Sequence, residues 1–381
     1  ICRAPVNFPV GFPGSPGVHI ANFIGVPNNG TITLPVTGGA SQFNLLGNPY
    51  PSALSADAFL LDAANAATLS GTLYFWTHNT PLNAALQYIA SDYAIYNYLG
   101  GTVGGVPSGP SGNSGVNTLP PNGKIASGQG FFIKGLSGGT ATFKNSMRIA
   151  GNNDRFFKMQ TPAVDDTNGP ERHRYWLNIG NTGGAFKQVL VGYAEDATMG
   201  LDRLFDGEMF DVGNAVTLYT MADNTKLSIQ GRPIPFDVFD TVPLGYKSTI
   251  VSEYSISLYD FDGLFEQQNI YLEDTDLNII HDLKSGPYIF TTGVGTFDTR
   301  FVLRYNNAAL GTNEPVFNEN AVVIYRNADN DFVINTGAFE MEAVKVFDIR
   351  GRLLLDKKGI NAAQMTFNTG STNEVLLVQI T

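Results

Sequence analysis

From Ser252 to Leu258 apolar and polar residues alternate, with Tyr254, Ile256 and Leu258 on one side and Glu253, Ser255 and Ser257 on the other. A period of two is the mark of a half-buried strand. Shorter β-like runs recur at Leu73–Trp76, Tyr93–Tyr98, Gly130–Lys134, Arg174–Ile179, Val189–Tyr193, Ile270–Leu272, Tyr288–Phe290 and Phe301–Tyr305. Clusters of Gly, Pro, Asn and Asp separate them, as in sandwiches and barrels. One short helix is predicted over Ala56–Ala67, where the Ser55 side chain can cap the first turn. Long amphipathic stretches are missing, which argues against a doubly wound α/β enzyme. The pattern predicts an all-β chain of tandem β-sandwich domains.

Interruptions in the pattern suggest where those domains end. Half of residues 100–123 are Gly or Pro, which predicts a flexible surface loop inserted within one domain. The run Thr161–Pro170 is polar, aperiodic and rich in breakers, and so is Asn306–Glu319. The expected division is a β-sandwich over 1–160, a second β-rich domain over 161–311, and a last domain over 312–381.

Charge is scarce and unevenly spread. Charged side chains make up 15% of the 381 residues, against roughly 25% in an average soluble domain. Residues 1–140 hold only Arg3, Asp57, Asp62, Asp92, Lys124 and Lys134, whereas residues 141–311 carry a net charge of −8 within a total of −11. A chain with 12% aromatic residues and so few charges is not disordered. It lacks the basic stripe of a nucleic-acid binder. No apolar run approaches the ~18 residues that a membrane helix needs, so no transmembrane segment is expected. The opening Ile1-Cys2-Arg3 carries neither an initiator Met nor a signal peptide, and reads as part of a longer precursor. Cys2 is the sole cysteine, which excludes an intramolecular disulfide and a thiolate metal site.

Candidate chemistry is thin. His19, His78, His173 and His281 each stand alone, with no HExxH and no His pair at helical spacing. Gly128-Gln129-Gly130 begins like a dinucleotide fingerprint, but Phe131-Phe132-Ile133 continues as a strand rather than a helix N-terminus. Acidic groups gather at Asp202, Asp206 and Asp211, at Asp260 and Asp262, at Glu273, Asp274 and Asp276, and at Asp329 and Asp331. Calcium requires six to eight converging oxygens, and Asp202 with Asp206 is the best candidate, although turn-forming Asp explains each group equally well. A glycan-binding module or a paired-carboxylate glycan-active enzyme is a second alternative, with Trp76 or Trp176 as stacking platforms, although a core or strand role accounts for both tryptophans better. The leading expectation is a protein with no catalytic residues, no cofactor and no metal.

Residues 316–381 are more specific. Val322–Arg326 and Asp331–Asn335 precede a longer run from Ala343 to Leu355, in which two alternating segments flank Asp348–Arg352. That is a hairpin in which Gly351 can supply the positive φ of the turn. Gln364–Asn368 and Val375–Ile380 complete a small sandwich. Val344, Val346, Asp348, Arg350, Gly351, Arg352 and Leu353 form a V-x-V-F-D-x-x-G-R-L pattern. It resembles the type A C-terminal sorting domain of the type IX secretion system of Bacteroidota, as do Asn361–Asn368 and the closing Val375–Thr381. Members of that family ordinarily finish on a further Lys-rich strand, whereas this sequence stops at Thr381.

Upstream, Phe43–Ser52, Tyr74–Asn79, Ile125–Phe132, Gln230–Arg232, Val242–Gly245 and Ile270–Asp274 resemble segments of very large surface proteins of the same phylum. The resemblance implies a small Ig-like sandwich at the C-terminus that serves as the export signal. It implies an outer-membrane translocon and its shuttle barrel as partners. It also implies structural or adhesive upstream domains on the outer face of the cell, where surface glycans are a further candidate partner.

Overall fold

A computed structural model describes residues 24–39, 41–77, 92–105, 120–153, 170–210, 213–307, 322–327, 330–336, 340–370 and 375–381. The architecture is all-β, and the chain divides into two compact units, Ile1–Asn307 and Ala308–Thr381.

The larger unit holds two main sheets. The first has five antiparallel strands in the order Phe43–Gly47, Gly130–Gly135, Leu69–Trp76, Tyr93–Asn97 and Gly100–Thr102. Alternation along Leu69–Trp76 sends Leu73 and Phe75 into one core, with Phe59, Leu60, Phe131 and Ile133. Tyr74 faces the other way. The expected helix over Ala56–Ala67 is in fact two, Ala56–Leu60 and Ala63–Ala66. Ser55 caps the first through the Ala58 N–H, and Asp62 interrupts the run by capping the second through the Ala64 N–H.

The second sheet runs Ile279–Asp282, Tyr271–Asp274, Gly295–Arg304, Thr241–Ser248, Val216–Ala222, Thr225–Pro233, Phe186–Ala194, Arg172–Gly180, Ser252–Phe261 and Tyr288–Thr292, with Gly207–Glu208 pairing beside Thr225–Pro233. Only Phe186–Ala194 against Thr225–Pro233 is parallel. Its two arms share one core, because Tyr175, Leu177 and Val191 from one arm pack with Leu218, Leu244, Tyr246 and Phe301 from the other. The sheet therefore folds over itself. Hydroxyl pairs cross the fold, Tyr246 to Thr292 at 3.0 Å and Tyr254 to Ser248 at 2.9 Å. The turn Asp223-Asn224 takes φ of 47° and 63°, as a two-residue hairpin of the primed type requires.

The boundary expected near residue 160 falls inside this unit. A third core joins its halves: Tyr74, Ile95 and Leu99 pack against Trp176, Leu190, Phe205 and Ile229. Arg203 ties the seam, its guanidinium donating to the Leu69 carbonyl at 2.9 Å and to the Leu60 carbonyl at 3.1 Å. Trp176 donates its indole N–H to the Gly101 carbonyl at 2.7 Å, and Arg174 reaches the Leu99 carbonyl at 3.0 Å. Composition predicted a linker at 161–170, but apolar burial between distant segments joins what lies on either side. The expected loop at 100–123 also begins inside the core. Gly100–Thr102 is a buried edge strand, since small residues let the backbone approach Trp176 and Gln188. The rest of that loop, 106–119, lies outside the described residues.

Among its described residues, the smaller unit forms two three-stranded antiparallel sheets. One is Val323–Arg326, Phe332–Asn335 and Gln364–Phe367, and the other is Leu353–Ala362, Met341–Asp348 and Leu376–Ile380. Ile334, Met365 and Phe367 from the first meet Met341, Val344 and Val346 from the second in one core. The result is a six-stranded sandwich.

Candidate functional site

The hairpin of the smaller unit carries the residues singled out in the sequence. Val344 and Val346 are fully buried and anchor Met341–Asp348 to the core. A register shift between Val346 and Phe347 turns the strand end outward. Asp348 locks the turn that follows. Its Oδ1 accepts the backbone N–H of Arg350 and of Arg352, both at 2.9 Å, and its Oδ2 accepts Arg352 Nε at 3.1 Å. The Gly351 N–H donates to the Asp348 carbonyl at 2.9 Å, and Gly351 sits at φ +80° with open space where a Cβ would lie. A Cβ there would meet no neighbour, so the cost of adding one is backbone strain, of order 1–3 kcal/mol. The acid is thus consumed within the turn. The exposed tip consists of Ile349, Arg350, Arg352 and Leu353.

The Arg352 N–H is the main reason that the Asp348 carboxyl is held below the ordinary range, followed by the Arg350 N–H and the Arg352 guanidinium. A depressed folded-state pKa contributes stability that is present above about pH 4, the unfolded value, and is lost as pH falls through the folded value. The unfolding midpoint of the smaller unit is therefore expected to fall on acidification below pH 4. Asp348→Asn should lower the midpoint at pH 7 and flatten this acid limb. Calorimetry between pH 2.5 and 7 checks both, and an unchanged acid limb would contradict the lock.

Charge on this hairpin opposes that of the chain. Of the six basic residues in 312–381, all but Arg326 lie on it: Lys345, Arg350, Arg352, Lys357 and Lys358. Only Asp348 and Asp356 offset them between 345 and 358. An acidic partner surface complements such a hairpin, and the apolar Ile349 and Leu353 beside the arginines give it something to bury. Val323, Ile324 and Tyr325 are also exposed, on a strand at the end of the neighbouring sheet.

Other candidates resolve into structural roles. The Leu264 N–H donates to His173 Nδ1 at 3.2 Å, which leaves Nε2 to donate to Glu171 at 3.2 Å. His281 Nε2 donates to the Gly286 carbonyl at 2.8 Å. His19, His78, Cys2, Asp211 and Asp329 lie outside the described residues. Trp176 takes the core role favoured over a stacking platform, buried at the seam because strands cover both faces of its sheet there. Trp76 is 37% exposed and meets Tyr93 edge-on.

Asp202 and Asp206 spend their oxygens on local turns, Asp202 also accepting the Thr198 hydroxyl at 3.0 Å. Asp202 accepts the N–H of Thr198, while Asp206 accepts those of Asp202 at 2.6 Å and Gly231 at 3.0 Å. Burial pushes the Asp206 carboxyl up to about 7. Asp262 holds Arg174 through its backbone N–H at 2.8 Å and its guanidinium at 2.6 Å. Among the described residues, no group of three His, Cys, Asp or Glu side chains is placed to hold a metal ion. Likewise, no helix is long and apolar enough to cross a membrane.

Two features escape the sequence reading. Buried arginines organise the interior of the larger unit: Arg232 clamps Asp240, whose carboxylate also accepts Tyr193 Oη at 2.6 Å. A concave face also forms where the turn between Gly180 and Phe186 rises beside Ser255 and Ser257. Its local signal was the run Gly180-Asn181-Thr182-Gly183-Gly184.

Comparison with known proteins divides the chain where the structure does. A domain of unknown function (DUF8694) matches residues 310–381, the smaller unit. No curated protein and no solved structure matches the chain. A second domain of unknown function (DUF8693) matches residues 1–305, which is most of the chain and nearly all of the larger unit, so the chain belongs to the DUF8693 family.

Proposed function

We propose that residues 308–381 are an export signal and that residues 1–307 are surface-exposed cargo of structural or adhesive character, with no catalytic role. The exporter is the type IX translocon with its shuttle barrel, and the destination is the outer face of the outer membrane. One observation carries this reading. The segment with the sorting-domain pattern is a compact unit of its own, and the patterned residues form a locked hairpin with a basic and apolar tip. A signal read by a translocon has to be recognisable whatever it is attached to, and a separately packed sandwich meets that requirement. Its partner would bind the tip with acidic side chains, or add a strand to an open sheet edge.

Recognition through the tip is tested by Arg350→Glu. Arg350 is exposed, and its backbone N–H rather than its side chain serves the turn. In a host with a working type IX system, surface display of the precursor carrying Arg350→Glu is expected to fall about tenfold, equivalent to about 1.4 kcal/mol, with the unfolding midpoint unchanged. Undiminished display would contradict recognition through the tip.

A further inference from the structure

On the outer face of the folded sheet, Arg172–Gly180, Ser252–Phe261 and Tyr288–Thr292 lie side by side. The core takes Leu177, Ile179, Tyr254, Ile256, Tyr288 and Phe290. Alternation therefore presents Asn178, Ser255, Ser257 and Ile289 on the opposite side. The turn between Gly180 and Phe186 walls this strip into a groove of about 790 Å³, within the roughly 300–1,000 Å³ of ligand sites.

The groove is built rather than incidental. Asn181 stiffens the turn, accepting the Ala185 N–H at 2.9 Å through Oδ1 and donating to Ser252 Oγ at 3.0 Å through Nδ2. Beneath the lining residue Asn178, Gln188 is fully buried. Its Oε1 accepts the Val103 N–H at 3.0 Å, so its amide nitrogen must be the group 2.8 Å from Asn178 Oδ1. A backbone N–H has one polarity, and that polarity fixes both amides in turn. Asn178 is left with its NH₂ as a donor fixed in place before a ligand arrives. Ser257, its register partner, adds a hydroxyl, and Glu253 lines the same groove with a carboxylate. The Phe186 ring lies against Gly180, where a Cβ would sit 3.9 Å from it, and Ile289 is 60% exposed on the far side.

These groups select a ligand class. Among the described residues no Lys or Arg lines the groove, and a carboxylate within a region of net charge −8 repels anions. A lipid chain could not satisfy the Asn178 amide and the serine hydroxyls that it would desolvate. The groove lies on the sheet face, inward of the edge strand Tyr288–Thr292, so a peptide pairing with that edge would extend the sheet rather than fill the groove. A donor, two hydroxyls and a carboxylate between two apolar flanks suit a ligand with many hydroxyls and apolar C–H faces. We propose that this groove binds a neutral carbohydrate, with Asn178, Ser257 and Glu253 taking hydroxyls and Phe186 packing on a ring face.

The test is an array of neutral hexose and N-acetylhexosamine oligosaccharides beside sialylated and sulfated ones, probed with the 381-residue chain. Calorimetry on the strongest neutral probe then follows. Reproducible binding to a neutral probe is expected. Asn178→Asp keeps the oxygen that Gln188 requires and removes the donor, so affinity should fall at least tenfold with the unfolding midpoint retained. Ser257→Ala should weaken binding by a smaller factor, and Trp76→Ala should leave it unchanged. Absence of any neutral hit would overturn the proposal. So would selection of the anionic probes, or affinity indifferent to both Asn178→Asp and Ser257→Ala.

Discussion

Valine in place of Gly71 is expected to leave the larger unit without a cooperative unfolding transition. A Cβ at residue 71 would lie 1.7 Å from the Arg203 carbonyl oxygen and 2.6 Å from its carbon. Both are backbone atoms, so no rotamer change relieves the clash. The Arg203 side chain reaches back over the same seam to Leu60 and Leu69, and moving the backbone away would break those bonds as well. Overpacking a side chain against side chains costs about 1–3 kcal/mol. Here two backbones would have to separate and open the core that contains Tyr74, Trp176 and Phe205. Circular dichroism on heating checks this, with Gly138→Val as the control, since nothing lies within 4 Å of that site. A Gly71→Val chain that melts like the parent would contradict the close approach.

Loss of Arg300 is the second large effect. Asp274 is fully buried and accepts Arg300 Nη2 at 2.8 Å, Tyr288 Oη at 2.8 Å and the N–H of Asp276 at 3.1 Å. Arg300 also lies 5.0 Å over the rings of Phe290 and Phe301. Burial would raise the Asp274 carboxyl, but the bonds from Arg300 and Tyr288 outweigh it and hold the group below its ordinary range. Arg300→Met keeps much of the packing and strands the carboxylate. Removing one partner of a buried pair costs about 3–5 kcal/mol, a large part of the 5–15 kcal/mol by which domains are stable.

The pH dependence should weaken as well. In the parent, the depressed Asp274 contributes stability that is present above about pH 4 and is lost as pH falls through the folded value. In the variant the hydrogen bond and the charge of Arg300, which lower this carboxyl, are gone. Denaturant unfolding at pH 4 and pH 7 should show a smaller gain in stability toward the higher pH in the variant than in the parent, and an equal gain would contradict the role of Arg300.

Strands were legible wherever one face is wet. Along Ser252–Phe261 the alternation places Tyr254 and Ile256 inside, as read. Gly351 in its turn followed the same local logic, since the positive φ depends on its immediate neighbours. Asp62, which splits the helix at 56–67, was a visible cap that the helical pattern masked. What sequence could not supply was pairing between distant segments. Trp176 was legible as a core or strand tryptophan, but the distant Gly101 carbonyl that takes its indole N–H was not. The linker-like run at 161–170 hid a seam made by residues far to either side. Asn178 and Ser257 sit 79 positions apart in the chain, and only the pairing of their strands places them in one groove.

The central claim is that residues 308–381 suffice for export. The most direct measurement fuses residues 308 to the C-terminus of the full gene product to a periplasmic reporter, in a host with a working type IX system. Surface or medium activity is compared with the same fusion in a translocon-deficient strain. Reporter outside the cell in the first strain and confined to the periplasm in the second is the expected result. Reporter retained in the periplasm of both strains, with the fusion intact and folded, would contradict the claim.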